Sequence, residues 1–125
     1  MPKKYSLKLK KQFQRLFRSG IRKNSENFSI VFVDSEELKF AFIVDAKTMP
    51  RAVDRTYSKR IMREVVRNNF LQNCKKPMHI AIRPLKNLRL LVKEKGFDNI
   101  QTELTSLLGT IDFSRPAIRS NYKNK

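Results

Sequence analysis

Apolar residues recur at two periods along this chain, and the switches between them mark its elements. From about Lys8 to Ser19, Leu9, Phe13, Leu16 and Phe17 return at helical spacing, and Gly20 follows as the expected stop. Asn27–Asp34 and Leu38–Asp45 are β-like instead, rich in Phe, Val and Ile, with the polar Ser35-Glu36-Glu37 between them. A hairpin is the simplest connection, and it puts Phe28, Phe32, Phe40 and Phe42 on one sheet face, mostly in the core. Pro50 then punctuates the chain before a long helix over Ala52–Asn69. Met78–Arg83 is a short apolar strand that Pro84 ends, and Leu85–Gly96 leaves room for a helical turn. A last helix carries Ile100, Leu104, Leu107 and Leu108, with Asp98 as its expected cap and Gly109 after it.

The order is therefore helix, strand, strand, helix, strand, helix, with room for one more strand near Ala46–Met49. A helix between two strands makes a β-α-β unit in an otherwise antiparallel sheet. The expected class is α+β, a two-layer sandwich. At 125 residues the chain suits one domain with a single modest core. That domain is read as residues 1–113, followed by a basic tail, 114–125, which lacks periodicity and is expected to be flexible.

Charge changes this picture most in the helix over 52–69. At 100° per residue, Arg55, Lys59, Arg63 and Arg67 fall every fourth position and form one basic stripe, with Arg60 beside it. Tyr57, Ile61, Met62 and Val65 fall on the opposite arc and can bury against a sheet. Like charges at i, i+4 repel, so a run of four implies a polyanion facing them. The whole chain agrees, with a net charge of +17 and a pI near 10.5. Residues 1–25 carry nine Lys or Arg and no acid, while Asp34, Glu36 and Glu37 gather in the predicted turn. Forty per cent hydrophobic residues and nine Phe argue for a folded protein rather than a disordered basic tail. Nucleic acid is the leading partner.

Other chemistries find little support. Cys74 is the only cysteine and His79 the only histidine, so an intramolecular disulfide and a zinc site built from the usual ligands are both excluded. Cys74 has no base partner in sequence, and His79, inside a strand, reads as structural. Eleven acids are scattered rather than clustered for metal ions, so the chain lacks the equipment of a protein-only nuclease. The N-terminus has no apolar h-region and no long apolar run follows, so a cytoplasmic setting without a membrane is expected.

Three pieces together resemble one family. Phe13-x-x-x-Phe17-x-x-Gly20 lies near the N-terminus, Lys59-Arg60-x-x-Arg63-Glu64-x-x-Arg67 lies mid-chain after Arg55, and the strand His79–Pro84 follows. Over roughly residues 5 to 110 the chain is similar to the protein subunit of bacterial ribonuclease P, whose partner RNA removes the 5′ leader of precursor tRNA. The resemblance implies a helix-strand-strand-strand-helix-strand-helix fold with a left-handed β-α-β crossover. It implies that Arg55, Lys59, Arg60, Arg63 and Arg67 face the catalytic RNA. It also implies a cleft for the single-stranded leader, with Phe13, Phe17 and Val31 in it and Lys59 and Arg63 at its edge. On this reading the protein is a component of a ribonucleoprotein endonuclease with no catalytic residues of its own. Mg²⁺ would be bound mainly by the RNA, and no protein partner would be required. The chain departs from the family where the usual Arg-Asn-Arg triplet reads Arg55-Thr56-Tyr57 and where Pro50 replaces a glycine. On charge, size and α+β character alone, a small ribosomal or ribosome-assembly protein is the alternative.

Overall fold

The computed structural model describes residues 5–118. Its elements are α1 (Lys10–Ser19), β1 (Ile21–Asn24), β2 (Phe28–Asp34), β3 (Lys39–Phe42), α2 (Ala52–Asn69), a 3-10 turn at Leu71–Asn73, β4 (Met78–Pro84), α3 (Leu88–Lys95) and α4 (Phe97–Leu108). The strands form one mixed sheet in the order β1-β2-β4-β3. β1–β2 and β2–β4 are antiparallel and β3–β4 is parallel, so α2 is the crossover of the one β-α-β unit.

The period-2 pattern decides how the sheet is covered. Phe28, Ile30 and Phe32 of β2, Phe40 of β3, and Met78, Ile80 and Ile82 of β4 point to one face. There they meet Met62, Val65 and Val66 of α2 and Leu104 and Leu108 of α4 in the main core. Phe42 packs against the same cluster, so all four phenylalanines share a face as expected. Val31, Val33, Ala41 and Ala81 point the other way and are sealed by Leu16 of α1 and Leu7. The expected α+β sandwich is present, and α1 adds a partial third layer on the second face.

Three expectations are corrected. No hairpin joins Asn27–Asp34 to Leu38–Asp45, because β4 lies between β2 and β3 and pairs with both. Shared apolar polarity put the two strands on one sheet face without making them neighbours. The extra strand is not at Ala46–Met49, which is a turn held by Asp45 Oδ1 accepting from Thr48 N at 2.7 Å. It is β1, at Ile21–Asn24, whose basic residues gave no strand pattern. Nor does Asp98 cap the last helix: α4 begins at Phe97, directly after Gly96, whose φ of 89° breaks the chain between α3 and α4.

Leu88–Lys95 proves to be a full helix, started by Asn87, whose side chain accepts from Arg89 N and Leu90 N. Of the tail expected from Ser114, residues 114–118 are seen, and Ala117 is buried with its N–H donated to Asp34 Oδ2 at 3.0 Å. The rest of the tail lies outside the described residues. No helix among the described residues is long and apolar enough to cross a membrane.

Candidate nucleic-acid interface

A cleft of about 230 Å³ opens along the β3 edge of the sheet. Its lining comes from four places: Tyr5, Ser6 and Leu7 ahead of α1, Phe13 on α1, Phe40–Ile43 on and after β3, and Lys59 and Arg63 on α2. The N-terminal segment reaches it by adding to the sheet edge, with Leu7 N donating to Phe40 O at 2.9 Å. That contact covers part of an otherwise unpaired edge. The cleft therefore has aromatic walls and a cationic rim.

The rim is held in place by packing. The Arg63 guanidinium stands 5.9 Å from the centroid of the Phe42 ring, within cation–π reach. Phe13 is half-buried and stacks on Phe17, ring centroids 6.3 Å apart. Phe17 itself lies one turn further along α1, is 36% exposed, and carries Arg22 over its ring at 5.9 Å rather than lining the cleft. Both aromatics of α1 thus lie on the surface leading from the cleft toward β1.

Val31, the third side chain expected in the cleft, does not line it. It is 4% exposed, trapped beneath α1 with Leu16. Phe32, its neighbour in sequence, points to the opposite face into the main core. Tyr5 and Phe42 are the aromatics the cleft uses instead. Phe42 could have been found from the Phe40–Phe42 alternation at a strand end; Tyr5 gave no signal, since nothing local places it beside β3.

The members of the basic stripe differ in their surroundings. Arg55 is half-buried and its Nη1 donates to Met49 O and Pro50 O, both at 2.8 Å. These bonds pin the loop that enters α2, so Arg55 differs from the other members of the stripe in having Nη1 engaged by the chain's own backbone. Arg60, Arg63 and Arg67 are exposed and line a shallow surface notch with Glu64. Among the described residues, no carboxylate oxygen lies within ion-pair distance of Lys59, Arg60, Arg63 or Arg67. Elsewhere the acids do engage bases: Asp34 with Lys76 at 2.8 Å, Asp54 with Arg89 at 3.2 Å, and Glu26 with Lys95 at 3.7 Å. The contrast leaves an unneutralised belt on the outer face of α2.

Neither titratable oddity resembles a catalyst. His79 is buried with Nε2 at 2.9 Å from Ser35 Oγ. Burial, and then the charges of Arg15 and Lys39, hold its pKa below the ordinary value against the opposing pull of Glu37, so it is neutral near pH 7. Burial pushes the Cys74 thiol up, which leaves little thiolate. Among the described residues no group of three or more His, Cys, Asp or Glu side chains is placed to hold a metal ion.

Fold and surface define a small basic α+β protein with an aromatic cleft beside its cationic helix. The ribonuclease P family model matches residues 1–112. The chain belongs to that family, the protein subunits of bacterial ribonuclease P. The ribonuclease P protein from Thermotoga maritima superposes with a TM-score of 0.73 at 26% identity, over 86% of this chain and 97% of that one. The same protein in complex with 1-(4-fluorophenyl)-2-thiourea gives 0.74 at 26% identity, over 85% and 99%. The ribonuclease P protein of Staphylococcus aureus shares the fold at 21% identity and a TM-score of 0.67, over 84% and 93%. No curated protein matches by sequence. The family match removes the ground for the ribosomal alternative.

Proposed function

We propose that this protein binds the catalytic RNA of ribonuclease P through Lys59, Arg60, Arg63 and Arg67, and holds the single-stranded 5′ leader of precursor tRNA in the cleft lined by Phe13 and Phe42. The observation that carries this reading is the belt of unpaired cations on α2 lying directly beside aromatic walls. Phosphates demand cations at intervals along a backbone, and residues four apart on a helix rise about 6 Å per step. Unpaired bases stack on aromatic rings, worth ~1–3 kcal/mol each with little sequence demand. A subunit serving many leaders needs that tolerance.

In this scheme the RNA performs the cleavage with Mg²⁺ that it mainly holds itself, and the protein raises affinity for substrate. Lys59 and Arg63 serve both partners, since they belong to the stripe and to the cleft rim. Arg55 acts one step back, fixing the Met49–Pro50 loop that sets where α2 begins. The protein would work in the cytoplasm, without a membrane or a further protein.

Reconstitution tests the reading. The protein is added to a cognate bacterial ribonuclease P RNA at low magnesium, and cleavage of precursor tRNA is followed. Stimulated removal of the 5′ leader is expected, more strongly for substrates with a leader of several nucleotides than for one-nucleotide leaders. No stimulation with the cognate RNA would overturn it.

A further inference from the structure

Arg89 lies outside the stripe, on α3, yet its guanidinium is fixed against α2. Its Nη1 donates to Asp54 Oδ1 at 3.2 Å, and its central carbon stands 5.9 Å from the centroid of the Tyr57 ring. The other oxygen of Asp54 accepts from Asn87 Nδ2 at 3.3 Å, and Asn87 is the residue that caps α3. The start of one helix is thereby fastened to the start of the other. A buried carboxylate beside a flat ring suits the planar fork of arginine better than it would suit a lysine.

The consequence is an arginine whose side chain is 48% exposed but whose direction is set, while Asp54 beneath it is 8% exposed. One of its five N–H donors is spent on Asp54, and the outer side of the fork remains for an external acceptor. A long side chain ordinarily loses rotamer freedom when it binds; this one has surrendered part of that freedom already.

Helix geometry says which surface it serves. At 100° per residue, Tyr57 and Asp54, the two α2 side chains that Arg89 touches, stand about 60° and 120° from Arg60 but about 160° and 140° from Lys59. Arg89 over Tyr57 therefore extends the Arg60 flank, while the Lys59 flank faces the cleft. We propose that Arg89 is a further phosphate-binding residue for the RNA subunit, acting beside Arg60 on the side of α2 turned away from the leader. This rests on the RNA-binding reading above and adds α3 to the contact surface.

The test must separate an RNA contact from a purely structural ion pair. The double substitution Asp54→Asn with Arg89→Met removes one charge of each sign, so the net charge of +17 is unchanged and no buried carboxylate is stranded. Binding to ribonuclease P RNA is measured across a salt series, with thermal melting as the check on folding. The expected result is an affinity lower by roughly tenfold and a log–log salt slope flatter by roughly 0.7–0.9. A folded double variant with wild-type affinity and slope overturns the proposal. Should that variant not fold, Arg89→Gln keeps a donor for Asp54 and must show the same flattening; a full wild-type slope there overturns it equally. Wild-type protein that fails to bind the RNA refutes the parent reading and not the choice of Arg89.

Discussion

At Gly20 the need for glycine is one of space. Its φ of −76° is open to any residue, but a Cβ there would stand 2.3 Å from Leu16 O and 2.7 Å from Val31 Cγ1. Neither the backbone of α1 nor the buried Val31 can yield cheaply. Overpacking of this kind costs about 1–3 kcal/mol, while the stiffer unfolded chain of an alanine variant returns only about 0.4–1. Gly20→Ala should therefore lower stability, read as an earlier urea midpoint with the m-value unchanged; an unshifted midpoint would contradict the geometry. The sequence showed that a glycine ends α1 but not that β2 presses against it, because that contact is made with residues eleven and more positions away. The same limit applies to Arg55 and Val31. Their spacing is visible in the chain, whereas the two carbonyls that capture Arg55 and the helix that buries Val31 are supplied by tertiary structure.

Among elements, α2 was the most legible, its bounds Ala52–Asn69 matching the expected helix. Eighteen residues with one buried and one charged arc leave no competing assignment. β1 was illegible because three of its four residues are exposed and two are basic. Its place comes from pairing with β2, and the turn between them is fastened from outside by α4. Glu103 accepts hydrogen bonds from Ser25 Oγ, from Asn27 N at 2.7 Å and from Asn27 Nδ2 at 2.8 Å. Burial alone would raise this carboxyl, but the bonds from Ser25 and Asn27 outweigh it, with help from Lys95, and hold its pKa below the ordinary value of 4.5. A depressed folded-state pKa gives stability that is present above 4.5 and lost as pH falls through the lower folded value. Glu103→Gln should thus cost roughly 1–3 kcal/mol at pH 7 and much less in strong acid, where the wild-type carboxyl is itself protonated. Urea unfolding at both pH values checks this, and an equal gap at both would count against it.

Over the whole molecule, the charge asymmetry was readable and its detail was not. The sequence located the basic helix and the Phe13–Phe17 pair, and the fold brings Phe13, Lys59 and Arg63 to one cleft. It could not show that acids neutralise bases on other surfaces while leaving α2 bare. Binding to RNA should accordingly weaken steeply with salt. Arg60→Ala with Arg63→Ala should flatten the log–log slope by roughly twice 0.7–0.9 and impair holoenzyme assembly, with melting behaviour retained because both side chains are exposed. Unaltered RNA affinity in that variant would refute the role of the belt.

The central position of β4 has a bearing on how the protein is born. The strand that unites β2 with β3 is the last of the four to leave the ribosome. Once the chain has emerged as far as Pro77, the residues of the polycationic helix are outside, yet the platform that orients them cannot close. Alignment of the basic face therefore waits on a contact distant in sequence, the insertion of β4 between two strands made before it.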